Sequence, residues 1–122
     1  MNERPDALSG CTYQFLLDHV EEPVYLTINN ITIDGVKEIY EVFINCHSSK
    51  ELGWSTVASR LISAVLRNPG NKDFLYKELQ ELFDAEYFFY KGNKYHSIVS
   101  LIGKILEEHA LYLQSLSPAG WI

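Results

Sequence analysis

The feature that most constrains this chain is a change of hydrophobic period near its midpoint. Before about residue 47 apolar side chains alternate with polar ones, which is the pattern of half-buried strands; after it they recur three and four apart, which is the pattern of amphipathic helices. Val24, Leu26 and Ile28 point one way while Tyr25, Thr27 and Asn29 point the other. Tyr40, Val42, Ile44 and Cys46 repeat the alternation, with Glu41 and Asn45 on the opposite face. Between the two runs lies Asp34-Gly35, a hairpin signal.

The pattern also constrains the pairing. A two-residue loop would oppose Ile33 to Val36 and Ile28 to Glu41, mixing core and solvent residues on one face. A three-residue loop pairs Ile33 with Lys37, Ile28 with Val42, Leu26 with Ile44 and Val24 with Cys46. The sequence therefore predicts an odd-length loop, with Gly35 in a left-handed conformation beside a bulge.

Residues 11–17 alternate through Cys11, Tyr13, Phe15 and Leu17 and read as a further strand; a helix with Leu8, Thr12, Phe15, Leu16 and His19 on one side also fits, though Gly10 weakens it. Ser48-Ser49-Lys50-Glu51 reads as a capping box opening a helix over about 50–67. The predicted core stripe of that helix is Trp54, Val57, Ala58, Leu61, Ile62, Val65 and Leu66, and Asn68-Pro69-Gly70 ends it. A second helix is expected over about 73–84, with Asp73 as N-cap and Leu75, Leu79, Leu82 and Phe83 inward. A third is expected over 97–116, carrying its stripe from Ile98 to Leu116. Residues 86–95, aromatic around Gly92-Asn93, suit a short hairpin. The expectation is one α+β domain: a three-stranded antiparallel sheet (about 11–17, 24–33, 37–46) covered by three helices, with an extended arm at 1–9 and a tail at 117–122.

Composition narrows the function classes. A chain of 122 residues with 47% hydrophobic content can build a core without metal or disulfides. Its net charge of −6 and scattered basic residues argue against a nucleic-acid partner. No apolar run is long enough to span a membrane, and the first residues lack the apolar segment of a signal peptide, so a cytoplasmic location is expected.

The candidate chemistry is sparse. Cys11 and Cys46 form no CxxC pair and read as unpaired thiols. Cys46 and His47 adjoin on a strand and so point to opposite faces, which is wrong for a nucleophile–base pair. His19, His47, His96 and His109 lack metal-ligand spacing, and His109 sits on an apolar helix stripe as a hydrogen-bonded core residue. The adjacent pairs Glu21-Glu22 and Glu107-Glu108 read as solvated charges. No phosphate-binding glycine loop and no nucleophile elbow occur. Neither catalytic nor metal nor cofactor residues are expected. The candidate partner-binding residues are Trp54, Tyr87, Phe88, Phe89, Tyr90 and Trp121, because aromatic side chains are enriched at interface hot spots.

Six fragments in order resemble one family. Arg4-Pro5-Asp6-Ala7-Leu8-Ser9-Gly10-Cys11-Thr12-Tyr13 resembles an "RPxxLxGxTY" opening, Val24 to Ile31 a "YVTIND" strand, and Tyr40 to Asn45 a "FEVFIN" strand. Trp54 to Arg67 resembles "WTxAxTRxISAVFR"; Phe74 to Asp84, and Gly92 to His109, are similar to the helices that follow. The family they resemble is the TSCPD-type C-terminal accessory domain of adenosylcobalamin-dependent (class II) ribonucleotide reductases. The Thr-Ser-Cys-Pro-Asp string is not in this sequence, and neither is the cysteine-rich tail that follows the domain in the family. The resemblance implies a role in deoxyribonucleotide synthesis, with a ribonucleotide reductase large subunit as protein partner. It carries over no catalytic residue, and adenosylcobalamin would belong to the full-length enzyme. Two other readings stand beside it. One is a small acidic inhibitor of the immunity-protein type, the other a nucleotide-sensing domain in which Arg60 and His47 contact phosphate. A monomer or a homodimer suits all three.

Overall fold

The computed structural model describes residues 3–16, 22–46, 49–68, 70, 72–84 and 87–116. Three strands, β1 (Ser9–Phe15), β2 (Val24–Ile33) and β3 (Val36–Cys46), form an antiparallel sheet in the order β1-β2-β3. Helices α1 (Ser49–Arg67) and α2 (Lys72–Gln80) follow, then a separate hairpin of β4 (Phe88–Tyr90) and β5 (Asn93–Tyr95), then α3 (Ile98–Leu116). The α+β architecture is the one the change of period implies. The arm and the first strand divide at Ser9, two residues earlier than the alternation indicates.

Val24 pairs with Cys46, Leu26 with Ile44 and Ile28 with Val42, as the patterning requires. Gly35 is left-handed as expected, but the loop is shorter than predicted. Ile33 pairs with Val36 across the two-residue loop Asp34-Gly35, and both loop residues have positive φ (52° and 80°), the signature of a type I′ turn. The parity is corrected within β3: Asn29 pairs with Glu41 but Asn30 with Ile39, leaving Tyr40 as the extra residue of a β-bulge. Patterning thus identifies that one residue must be inserted but not where. The bulge brings Ile39, not Tyr40, into the core before it, while Val42 and Ile44 continue the core after it.

The apolar sheet face is closed by α3, whose Leu101, Ile102, Leu106 and Leu113 are buried with Phe15, Leu26, Ile28 and Val42 in one cluster. Each such side chain contributes about 1.5–3 kcal/mol. The start of α3 is fixed by a reciprocal cap. Ser100 N–H donates to Ser97 Oγ at 3.0 Å and Ser97 N–H donates to Ser100 Oγ at 3.2 Å. Helix α2 lies so close to α3 that a Cβ on Gly103 would stand 2.7 Å from Leu79 Cβ and 3.0 Å from the Tyr76 carbonyl oxygen.

Trp54, Ala58, Ile62 and Leu66 of α1 pack on the core as the predicted stripe requires, but the rest of the stripe does not. Val57 (57%), Leu61 (63%) and Val65 (37%) are exposed, whereas Ser55, Ser59 and Ser63 are buried beside Ile62 and Leu66. The reason is that α1 runs along the edge of β3. Val42 N–H donates to Ser63 Oγ at 3.0 Å, the same hydroxyl donates to the Val42 carbonyl at 3.2 Å, and Ile44 N–H donates to Ser59 Oγ at 2.9 Å. Four helical residues rise about 6.0 Å and two strand residues about 6.6 Å, so serines four apart keep step with the outward-facing groups of the strand. The helix thereby replaces a fourth strand.

Other boundaries move for local reasons. Helix α2 ends at Gln80 rather than 84, so Leu82 and Phe83 are exposed and Tyr76 is its buried side chain. Asp73 lies in the first turn of α2 rather than at its cap, and there its charge complements the helix dipole. The short hairpin turns at Lys91-Gly92, both with positive φ, which leaves Asn93 in β5. The predicted cap at Ser48, and the tail, lie outside the described residues.

Replacing Ser63 or Ser59 by alanine should cost about 1–3 kcal/mol, since each strands a buried strand N–H; Ser115→Ala, exposed on α3, should be nearly neutral. Denaturant unfolding monitored by circular dichroism measures the difference. Gly103→Ala should cost about 1–3 kcal/mol in the same assay, through crowding against α2.

Candidate functional site

Three polar or open features can be built from this frame. The first lies on the solvent side of the sheet. Glu41, on β3 just past the bulge, is 1% exposed although ionisable. The N-terminal arm covers it: Arg4 donates from Nε to Glu41 Oε1 (2.9 Å) and from Nη2 to Oε2 (2.8 Å). Asn29 Nδ2 donates to Oε2 at 2.8 Å, and Arg67 Nη2 stands 3.7 Å from Oε1. Hydrogen bonds from Arg4 hold the Glu41 carboxyl below the ordinary carboxylate range. Asn29 also explains Gly10 opposite it, where a Cβ would fall 2.4 Å from Asn29 Oδ1 and 2.3 Å from the Ile28 carbonyl oxygen. This network fastens the arm across β2 to β3, and every Glu41 oxygen is engaged, so the carboxylate is structural.

The second feature is a cleft of about 660 Å³ where the β2–β3 hairpin diverges from the α1–α2 junction. Ile31, Ile33, Ile39, Leu66 and Phe74 supply apolar wall, and Tyr40, Arg67, Lys72, Glu38 and Asp73 supply the polar rim. The bulge creates it by turning Tyr40 out of the core, where the Arg67 guanidinium packs 5.1 Å from its ring centre. Lys72 is 3.9 Å from Glu38.

The third is the polar end of the α3–sheet contact. His109 is buried, with Nε2 3.1 Å from Asn30 Oδ1 and Nδ1 2.9 Å from the Tyr13 hydroxyl. The amide oxygen must accept, so Nε2 carries the proton and Tyr13 donates to Nδ1. Burial lowers the His109 pKa, and burial with the adjacent Cys11 thiol pushes Tyr13 up to about 12. Both groups are therefore neutral near pH 7. Cys11 Sγ lies 3.9 Å from the same Nδ1, whose lone pair already takes the Tyr13 proton. That arrangement positions α3 on β1 and β2. Cys11 and Cys46 form no disulfide with each other.

The residues singled out in the sequence scatter. Trp54 is half-buried against the core, and Tyr90 packs edge-on to Phe15 at 5.3 Å. Tyr87 and Phe89 are exposed and meet edge-on at 6.0 Å, with Lys94 Nζ 4.2 Å above the Tyr87 ring. Nearby, Phe83 is exposed and stacks on His96 at 4.2 Å, a contact the helix pattern concealed by assigning Phe83 to the core. Arg60 is exposed on α1. His47, Trp121 and the Phe88 side chain lie outside what is described. Among the described residues no cluster of His, Cys, Asp and Glu could hold a metal ion, and no helix is long and apolar enough to cross a membrane.

A sheet with one face closed by a C-terminal helix and one edge closed by an internal helix defines a small α+β domain. The TSCPD domain family model matches residues 2–110, nearly the whole described chain, and the protein belongs to that family. No curated protein and no solved structure matches it.

The His109 site has a signed pH dependence. Its folded pKa lies below the ordinary value of 6.5, so the unfolded chain takes up the proton first as pH falls. The stability is complete above that value and is lost on acidification below it. The melting temperature should fall between about pH 7.5 and 5.5, and His109→Gln should flatten that slope. Glu41 adds a separate loss only below its ordinary value of 4.5.

Proposed function

We propose that this chain is a non-catalytic accessory module of deoxyribonucleotide synthesis that acts by binding a ribonucleotide reductase large subunit. Membership of the TSCPD family supports the reductase context, since that domain accompanies class II reductases. The observation that carries the interaction is the pair of outward rings Tyr87 and Phe89 on the β4–β5 hairpin, with exposed Phe83 stacked on His96 just past β5. Large apolar rings held rigidly by stacking lose little conformational entropy on docking, and they dominate interface energetics. Lys94 and His96 frame them with polar atoms, as an interface rim does.

Isothermal titration of the chain into the purified large subunit of its own organism's reductase is the test. A saturable complex is expected. Tyr87→Ala with Phe89→Ala should weaken it by at least about 2 kcal/mol, roughly 30-fold. Absence of binding, or reductase turnover by the isolated chain, defeats the proposal.

The cleft beside Arg67 favours a second reading, a ligand-sensing domain, because its volume falls in the range of small-molecule sites. A thermal shift on adding nucleoside triphosphates, abolished by Arg67→Ala, would support that reading instead.

A further inference from the structure

The two edges of the sheet are treated differently. The β3 edge is sealed by the α1 serines. The β1 edge has no strand or helix hydrogen-bonded along it among the described residues.

The directions of the β1 backbone groups follow from the register. Val42 N–H and C=O both face Ser63, away from β2, so Val42 and Ile28 form a non-hydrogen-bonded pair. Ile28 must then bond to its other neighbour, Cys11. By alternation Ser9, Cys11, Tyr13 and Phe15 bond inward to β2, and Gly10, Thr12 and Gln14 present N–H and C=O outward. The Gln14 carbonyl confirms the direction, since the Tyr90 hydroxyl reaches it from outside at 3.5 Å.

This outward row is symmetric about Thr12. A second, antiparallel β1 related by a two-fold axis through Thr12 would pair Thr12 with Thr12, and Gly10 with Gln14, in both directions. All six outward groups would find partners, the weak Tyr90 contact yielding to a Gly10 N–H. Nothing in Ser9–Phe15 opposes this: the strand holds no Lys, Arg, Asp, Glu or Pro, and its pairing with β2 has no bulge. Those are the devices by which edge strands avoid association. On the face toward α3, exposed Cys11 would lie opposite the second copy's Tyr13, beside the exposed Tyr112.

We infer that the protein forms a two-fold dimer by antiparallel pairing of β1 with β1, joining two three-stranded sheets into one of six strands centred on Thr12. This goes beyond the reading above and does not depend on it.

Sedimentation equilibrium on the full chain reads the result. At increasing concentration the mass should rise from 14.0 kDa to twice that value. Thr12→Lys sets like charges opposite each other across the axis and should restore 14.0 kDa with an unchanged circular dichroism spectrum. A second variant guards against misfolding. Thr12→Cys in a Cys11→Ser, Cys46→Ser background should oxidise to an intermolecular disulfide, because directly opposed Cα atoms about 5.5 Å apart lie within disulfide reach. Amide exchange at Gly10, Thr12 and Gln14 should slow with dimerisation. A monomer at every concentration overturns the inference. So does a dimer that survives Thr12→Lys with those amides exchanging freely, and so does a β1 edge that takes up only an extended peptide from another protein.

Discussion

The structure depends on how the outer edge of β3 is satisfied. A strand at a sheet edge carries unpaired N–H and C=O groups, and burying them without partners would cost about 1–3 kcal/mol each. Here a helix supplies the partners from serines four residues apart. Seating α1 at the edge leaves the apolar face free for α3, and it places the α1–α2 junction beside the β2–β3 hairpin. The cleft, the Arg67 contact with Glu41 and the packing of α2 on α3 all follow from that choice.

The same choice accounts for what could and could not be read in the sequence. Strand alternation identified β2 and β3 and their pairing below the bulge, because both faces differ sharply in polarity there. The helix stripe is right at Trp54, Ala58, Ile62 and Leu66 and wrong at its other positions, because an edge-seated helix needs hydroxyls where a face-seated helix needs methyls. Ser55, Ser59 and Ser63 lie outside the predicted stripe and are buried; Val57, Leu61 and Val65 belong to it and are exposed. A run of serines four apart beside an apolar stripe is the signal that would have distinguished the cases. The turn differs from its expected length for a related reason: parity demands one inserted residue, and nothing in Tyr40-Glu41 distinguishes a mid-strand bulge from a longer loop.

The candidate sites were legible in proportion to how local they are. His109 could be assigned to a hydrogen-bonded core position from its place on the α3 stripe, and it bonds to Tyr13 and Asn30. Glu41 gave no sign of burial, since its partners come from residues 37 and 12 positions away. The aromatic segment was conspicuous as composition. Its division into a packed Tyr90 and outward Tyr87 and Phe89 required the hairpin geometry, in which neighbouring side chains alternate.

Glu41 and the bulge sit side by side on the solvent face of β3, and Arg67 reaches both. The extra residue at Tyr40 turns its ring toward Arg67 and opens the cleft on one side. Glu41, the next residue, keeps the outward phase set by Val42 and Ile44 and faces Asn29, where the arm can close over it and Arg67 reaches both it and the Tyr40 ring. Without the insertion Tyr40 would have to enter the core and Ile39 leave it, and the hairpin would lose its packing on Leu66. The arm held by Glu41 leads directly into β1, so the carboxylate also fixes where the uncovered edge begins. Cleft, arm and edge are in this way set by the register of a single strand pair.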